Sequence, residues 1–165
     1  MKAITIVVLS FLLTACGGGS SGGGGGAPAS FAGMYGGIAT ITMSAPGATP
    51  QTIRGTIQFE IDGQGNITSD PGTDFSGTGT LNGNRFTVTV PASSLNEPGL
   101  RCTGAIVFTG SISGDSMNGS ISVSGFVCNG VPIQVSGTFQ AARLPAQGRQ
   151  PIGGSLMESV RGAIL

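Results

Sequence analysis

The chain has 165 residues, seven basic and seven acidic side chains, no histidine and no tryptophan, and a formal net charge of zero. Only 8% of residues are charged, so there is no basic stripe to neutralise phosphates, and nucleic acid is excluded as a natural partner. Without histidine, Ser-His-Asp and Cys-His catalysis and the usual Cys/His zinc sites are excluded as well.

Residues 1–15 read as an export signal: Lys2, then a largely apolar run from Ala3 to Leu13, then small residues. A membrane span needs about 20 apolar residues. This run is shorter, and Thr5, Ser10 and Thr14 interrupt it. The closing residues Leu13-Thr14-Ala15-Cys16 resemble the lipobox of bacterial lipoproteins, a leucine and two small residues before a cysteine. That resemblance implies that the Cys16 thiol receives a diacylglyceryl group and that cleavage frees its amine for a further acyl chain. Each buried methylene contributes about 0.8 kcal/mol, so two or more chains hold a protein stably at a membrane where one does not. Gly17, not aspartate, follows Cys16. By the same resemblance this implies sorting to the outer membrane in a diderm cell.

Residues 16–30 are the lipid-bearing cysteine and a Gly/Ser linker ending in Ala27-Pro28-Ala29. Such a chain is a flexible coil with an r.m.s. reach of roughly 20 Å, enough to lift a domain clear of lipid headgroups.

From Phe31 to Arg143 the pattern has period two. Ile53, Gly55, Ile57, Phe59 and Ile61 alternate with Thr52, Arg54, Thr56, Gln58 and Glu60, as a strand with one buried and one solvated face requires. Phe86, Val88 and Val90 repeat the pattern, as do Ile121 and Val123, and Val131, Ile133, Val135, Gly137 and Phe139. Weaker strands lie at 34–43, 66–69, 74–81 and 101–111. Asp62-Gly63, Asn82-Gly83, Gly114-Asp115 and Asn129-Gly130 accept the positive φ of tight hairpins. About eight strands joined by short turns, each with an apolar face, predict an all-β, antiparallel up-and-down meander closed as a small barrel. A β-sandwich is the alternative.

Placing Gly114-Asp115 at a turn pairs Ile112 with Met117, Phe108 with Ile121, Ile106 with Val123 and Gly104 with Gly125. Cys102 then falls opposite Val127, one residue from Cys128. In an exported chain this predicts a Cys102–Cys128 disulfide, with a bulge or the turn at Asn129-Gly130 closing the gap.

The start and end of this meander, Gly33-Met34-Tyr35 and Arg143, resemble the Gly-x-Trp and late basic residue of lipocalins and their calycin relatives, with tyrosine in place of tryptophan. The resemblance implies a lipocalin- or avidin-like barrel whose end is sealed by Arg143 stacking on Tyr35 beside Gly33. Biotin recognition is not implied, because avidins stack biotin between tryptophans and this chain has none. Gly77-Thr78-Gly79-Thr80-Leu81 and Gly83-Asn84-Arg85-Phe86 also resemble hairpins in the barrels of surface lipoproteins of the transferrin-binding protein B kind.

The acidic residues do not assemble a site. Asp62 and Asp115 serve turns, and Glu60 shares an outward face with Arg54. Asp70 and Asp74 flank Pro71-Gly72, where a solvated loop is the preferred reading over a weak calcium site. Neither an enzyme, a metal nor a cofactor is expected. The inner face carries Phe59, Phe75, Phe86, Phe108 and Phe139 together with Gly55, Gly77, Gly79, Gly104, Gly125 and Gly137. A barrel of about eight strands is either filled by such side chains or holds one small ligand; filled is preferred. Residues 144–165 form a tail in which Ser155-Leu156-Met157-Glu158 reads as a capping box before a short helix bearing Leu156, Val160 and Ile164. The expected function is a lipid-anchored, non-enzymatic binding module of the cell envelope, for a macromolecular partner or a small apolar ligand. The alternative is a structural envelope lipoprotein with a filled barrel.

Overall fold

The computed structural model describes residues 29–145 and 155–164. Cys16, the signal-like segment and the linker up to residue 28 lie outside the described residues. The strands are β1 (Gly33–Ser44), β2 (Gln51–Ile61), β3 (Asn66–Ser69), β4 (Gly77–Asn82), β5 (Arg85–Pro91), β6 (Cys102–Ser113), β7 (Ser116–Cys128), β8 (Val131–Pro132) and β9 (Gln134–Arg143). A helix, α1, spans Leu156–Ile164, and Ala29–Phe31 and Ala92–Leu95 form short 3₁₀ turns.

Strands β1 to β7 pair antiparallel in sequence order, and β9 pairs with both β7 and β1, closing an eight-strand barrel. The continuous ladder rules out the sandwich. The two-residue β8 pairs only with β7 and lies outside the barrel wall.

One end of the barrel holds the start of β1, the end of β9 and the turns after β2, β4 and β6. Asp62 shapes the first of these turns, its Oδ1 accepting from Gln64 N and Asn66 N at 2.9 and 2.8 Å. Asp62 is exposed, and hydrogen bonds, led by that from the Asn66 side chain, hold its carboxyl below the ordinary range.

The interior is a single apolar cluster. Phe59, Phe86, Phe108 and Phe139 meet at its centre with ring centroids 5.5–6.1 Å apart. The inward glycines belong to the same packing. Gly110 pairs with Phe86, and a Cβ built on it would lie 2.9 Å from the Phe86 ring. Gly119 pairs with Phe139, and its Cβ would lie 2.7 Å from that ring. Each aromatic thus lies over a neighbouring strand's glycine, a known device of curved sheets. Of the glycines expected on the inner face, a Cβ built on Gly77 or Gly137 would lie 2.6 Å from the Val90 or Ile41 side chain, so space freed by glycine is taken up by neighbouring side chains.

The β6–β7 register holds from Ser113–Ser116 to Ile106–Val123 as expected and then departs from it. Gly104 does not pair with Gly125. A bulge there sets Thr103 opposite Val127 and Cys102 directly opposite Cys128. Gly104 has φ +89° and Gly125 φ +58°, both left-handed, and a Cβ on Gly104 would lie 2.1 Å from Gly125 O. The bulge also moves Gly125 to the exposed side and turns Phe126 inward. The expected strand over 74–81 starts only at Gly77, because Asp70 turns the chain with φ +42° and Phe75 folds into the core from a loop.

Candidate functional site

At the end where β1 begins, Tyr35 is fully buried, and Arg143 Cζ lies 5.3 Å from its ring centroid. The pairing of β1 with β9 places these two residues opposite one another. Arg143 donates to Ala32 O at 2.6 Å, to Tyr35 Oη at 2.9 Å and to Ser30 O, and Tyr35 Oη donates to Phe31 O at 3.0 Å. Arg143 Nε stands 2.9 Å from Asp115 Oδ1, an ion pair by distance with no aligned hydrogen bond at Nε. Gly33, at φ +144°, lies under the guanidinium, with 3.2 Å from its built Cβ to Nη1. Burial raises the Tyr35 pKa, and the guanidinium opposes that rise. The arrangement fastens the incoming chain and the Asp115 turn to the last strand.

Its energetics separate two contributions. The Asp115 side chain is 80% exposed, so its ion pair is worth less than about 1 kcal/mol. Loss of the guanidinium leaves the part-buried Ala32 carbonyl and the Tyr35 hydroxyl without their charged donor. Arg143→Met is expected to lower stability by about 2–3 kcal/mol, and Asp115→Asn by under about 1 kcal/mol, in denaturant unfolding. Equal losses would show that the ion pair, not the carbonyl ties, fastens this end.

The opposite end is assembled from the end of β1, the start of β2, the loops flanking β3–β4 and β5–β6, and the end of β7. Helix α1 lies across it. Leu156, Met157 and Val160 are buried, and Ser155 bridges to Thr56 of β2. Gly55 makes this approach possible, since a Cβ there would lie 2.5 Å from Leu156 Cα. Ser155 Oγ accepts from Met157 N at 3.2 Å, so the serine caps the helix by itself at its second residue. Arg161 pairs with Glu97 at 2.7 Å and covers the Phe75 ring at 4.9 Å.

Cys102 and Cys128 are joined at this end, Sγ–Sγ 2.04 Å and Cα–Cα 4.1 Å. The adjoining turn Asn129-Gly130 has φ of +50° and +81°. Asn129 ties it to the 99–101 segment, its Oδ1 accepting from Arg101 N and its Nδ2 donating to Gly99 O, both at 2.9 Å. The sequence pattern puts Val131 on the inner face; instead β8 leaves the wall and Val131 is 42% exposed.

Asp70 and Asp74 do not converge. Asp74 is exposed, whereas Asp70 is only 8% exposed and its Oδ1 accepts from Gln58 N at 3.2 Å. Burial pushes its pKa up to about 6, against the pull of the Gln58 amide. A carboxyl raised from its ordinary 3.8 binds its proton more tightly in the folded state. Its contribution to stability is therefore fully present below about pH 3.8 and is lost as pH rises through about 6. Asp70→Asn keeps an acceptor for Gln58 N, tolerates positive φ and cannot ionise. It is expected to stabilise the protein at pH 7 by about 2–3 kcal/mol and to leave stability at pH 3.5 nearly unchanged. A wild-type-to-variant difference constant across pH would contradict this. Among the described residues no three His, Cys, Asp or Glu side chains gather as a metal site.

Between the end of α1 and the disulfide hairpin lies an apolar depression of about 310 Å³. Met43, Leu100, Val131, Ile133 and Ile164 give it walls, with Cys128 among its lining. The sequence does not mark it, because its residues come from five separate segments and Val131 follows the inward alternation of its neighbours. Compared with known proteins, the chain matches no family model and no curated protein.

Proposed function

We propose that this chain is a lipid-anchored lipoprotein of the cell envelope, held at the outer membrane by acyl chains on Cys16. In this reading its calycin-like barrel is a non-enzymatic binding module for a macromolecular partner or small apolar ligand. The observation that carries the binding reading is where the apolar space lies. The barrel interior is occupied by its own phenylalanines, while an open apolar depression sits at the helix-capped end. Arg143 holds the carbonyls of Ser30 and Ala32, so the chain enters the barrel at the opposite end. A tether from Cys16 then turns the capped end away from the membrane.

The anchor is tested by metabolic labelling with a fatty-acid analogue. The exported wild type is expected to carry label, and Cys16→Ala to carry none and to remain as an uncleaved or soluble precursor. Label persisting in the variant would refute acylation at Cys16. The filled interior also supports a second reading, a structural envelope lipoprotein with no ligand. That reading expects no saturable binding at the depression.

A further inference from the structure

We infer that the depression at the helix-capped end is a binding site for a neutral, apolar small molecule of two or three aromatic rings. This deepens the binding-module reading and does not depend on the lipid anchor.

Three observations set the ligand's chemistry. First, among the described residues no charged side chain lines the site. A charged ligand would lose hydration there with no counter-charge to replace it, so the site selects against ions. Asn129, at the rim, directs its amide to Gly99 O and Arg101 N. The remaining polar side chains in the lining, Ser44, Thr49 and Gln51, are neutral and close together in the sequence.

Second, the volume of about 310 Å³ is at the small end of ligand pockets, which start near 300 Å³. It is roughly twice that of an apolar cavity that takes up benzene. Other depressions on the barrel wall, along β1–β9 and along β5–β7, also carry apolar residues such as Ile38 and Phe86, but Arg54 or Arg85 stands in their lining, so neither is free of charge.

Third, the site is pre-formed on one side and closed by α1 on the other. The disulfide and the Asn129 ties hold the Cys128–Val131 turn, so little ordering is needed on binding. Ala163 and Ile164 supply the opposite wall. A ligand seated there touches both the hairpin and the helix, and binding is expected to clamp α1.

The test uses the full chain carrying Cys16→Ser, which removes any acyl chain. Fluorescence titration with the neutral probe N-phenyl-1-naphthylamine is expected to show one saturable site, with Kd on the order of 10 µM for a ligand of this size. Val131→Asp, a change at an exposed position, and Ala163→Phe, which fills the space, should each weaken binding at least tenfold. The anionic probe 1-anilinonaphthalene-8-sulfonate should bind at least tenfold more weakly than the neutral one. Saturating neutral probe should slow amide exchange across 156–164. The inference is overturned by no saturable binding, by binding that both variants leave unchanged, by equal affinity for the anionic probe, or by no slowing in α1. Failure of the lipoprotein reading would appear separately, as absent fatty-acid labelling with this titration intact.

Discussion

Replacing Phe139 by alanine is expected to remove about 3–5 kcal/mol of folding free energy. The ring is buried and lies 5.5, 5.8 and 6.0 Å from the rings of Phe59, Phe108 and Phe86. Its cross-strand partners are Ala39 on one side and Gly119 on the other. Neither has a side chain long enough to move into the vacated space, so the cavity stays open and the loss falls near the top of the range. Domain stabilities are about 5–15 kcal/mol, so the variant is expected to be marginal at 37 °C. Denaturant unfolding should show a lower midpoint with an unchanged m-value. A loss under about 1.5 kcal/mol would mean that the ring is not enclosed.

Reducing the Cys102–Cys128 bridge is expected to cost roughly 3–4 kcal/mol from chain entropy for the 26-residue separation. The barrel should nonetheless persist. The β6–β7 ladder continues from Ala105–Ser124 to Ser113–Ser116 without help from the disulfide, and β7 is also held by β9. A lower melting temperature with unchanged far-ultraviolet circular dichroism is the expected result. Free thiols titrating quantitatively in the unreduced, exported protein would contradict the bridge, and loss of all β signal on reduction would contradict the independence of the ladder. Because Cys128 lines the depression, reduction should also weaken probe binding there.

The meander was legible because period-two patterning is a local property, and each strand of a barrel with one buried face must show it. The β6–β7 register followed from one turn, Gly114-Asp115, and held as far as Ile106–Val123. It failed at Gly104–Gly125, since alternation carries through a bulge on paper while the chain inserts a residue there. Two glycines facing each other in adjacent strands were the available signal. The disulfide survived that error because the bulge removes the one-residue offset that the uninterrupted register left.

The capped end was largely illegible. Ser155 and the Leu156/Val160 spacing announce a helix, but nothing in a nine-residue amphipathic segment says which surface it covers. That is decided by Gly55, far back in the chain on β2, where the absence of a side chain admits Leu156. Asp70 misled for a related reason. A Pro-Gly loop with two aspartates reads as solvated, and only the fold places one carboxyl among Gln58, Ser69 and the β2 edge.

The most direct measurement is the position of a bound neutral probe, read from methyl resonances of the full chain carrying Cys16→Ser. An external site over a filled barrel predicts probe contacts to the methyls of Val131, Ile133, Ala163 and Ile164, and none to those of Val88, Ile112 and Ile121 in the interior. Probe contacts at the interior methyls would show a hollow barrel and contradict both the filled core and the external site.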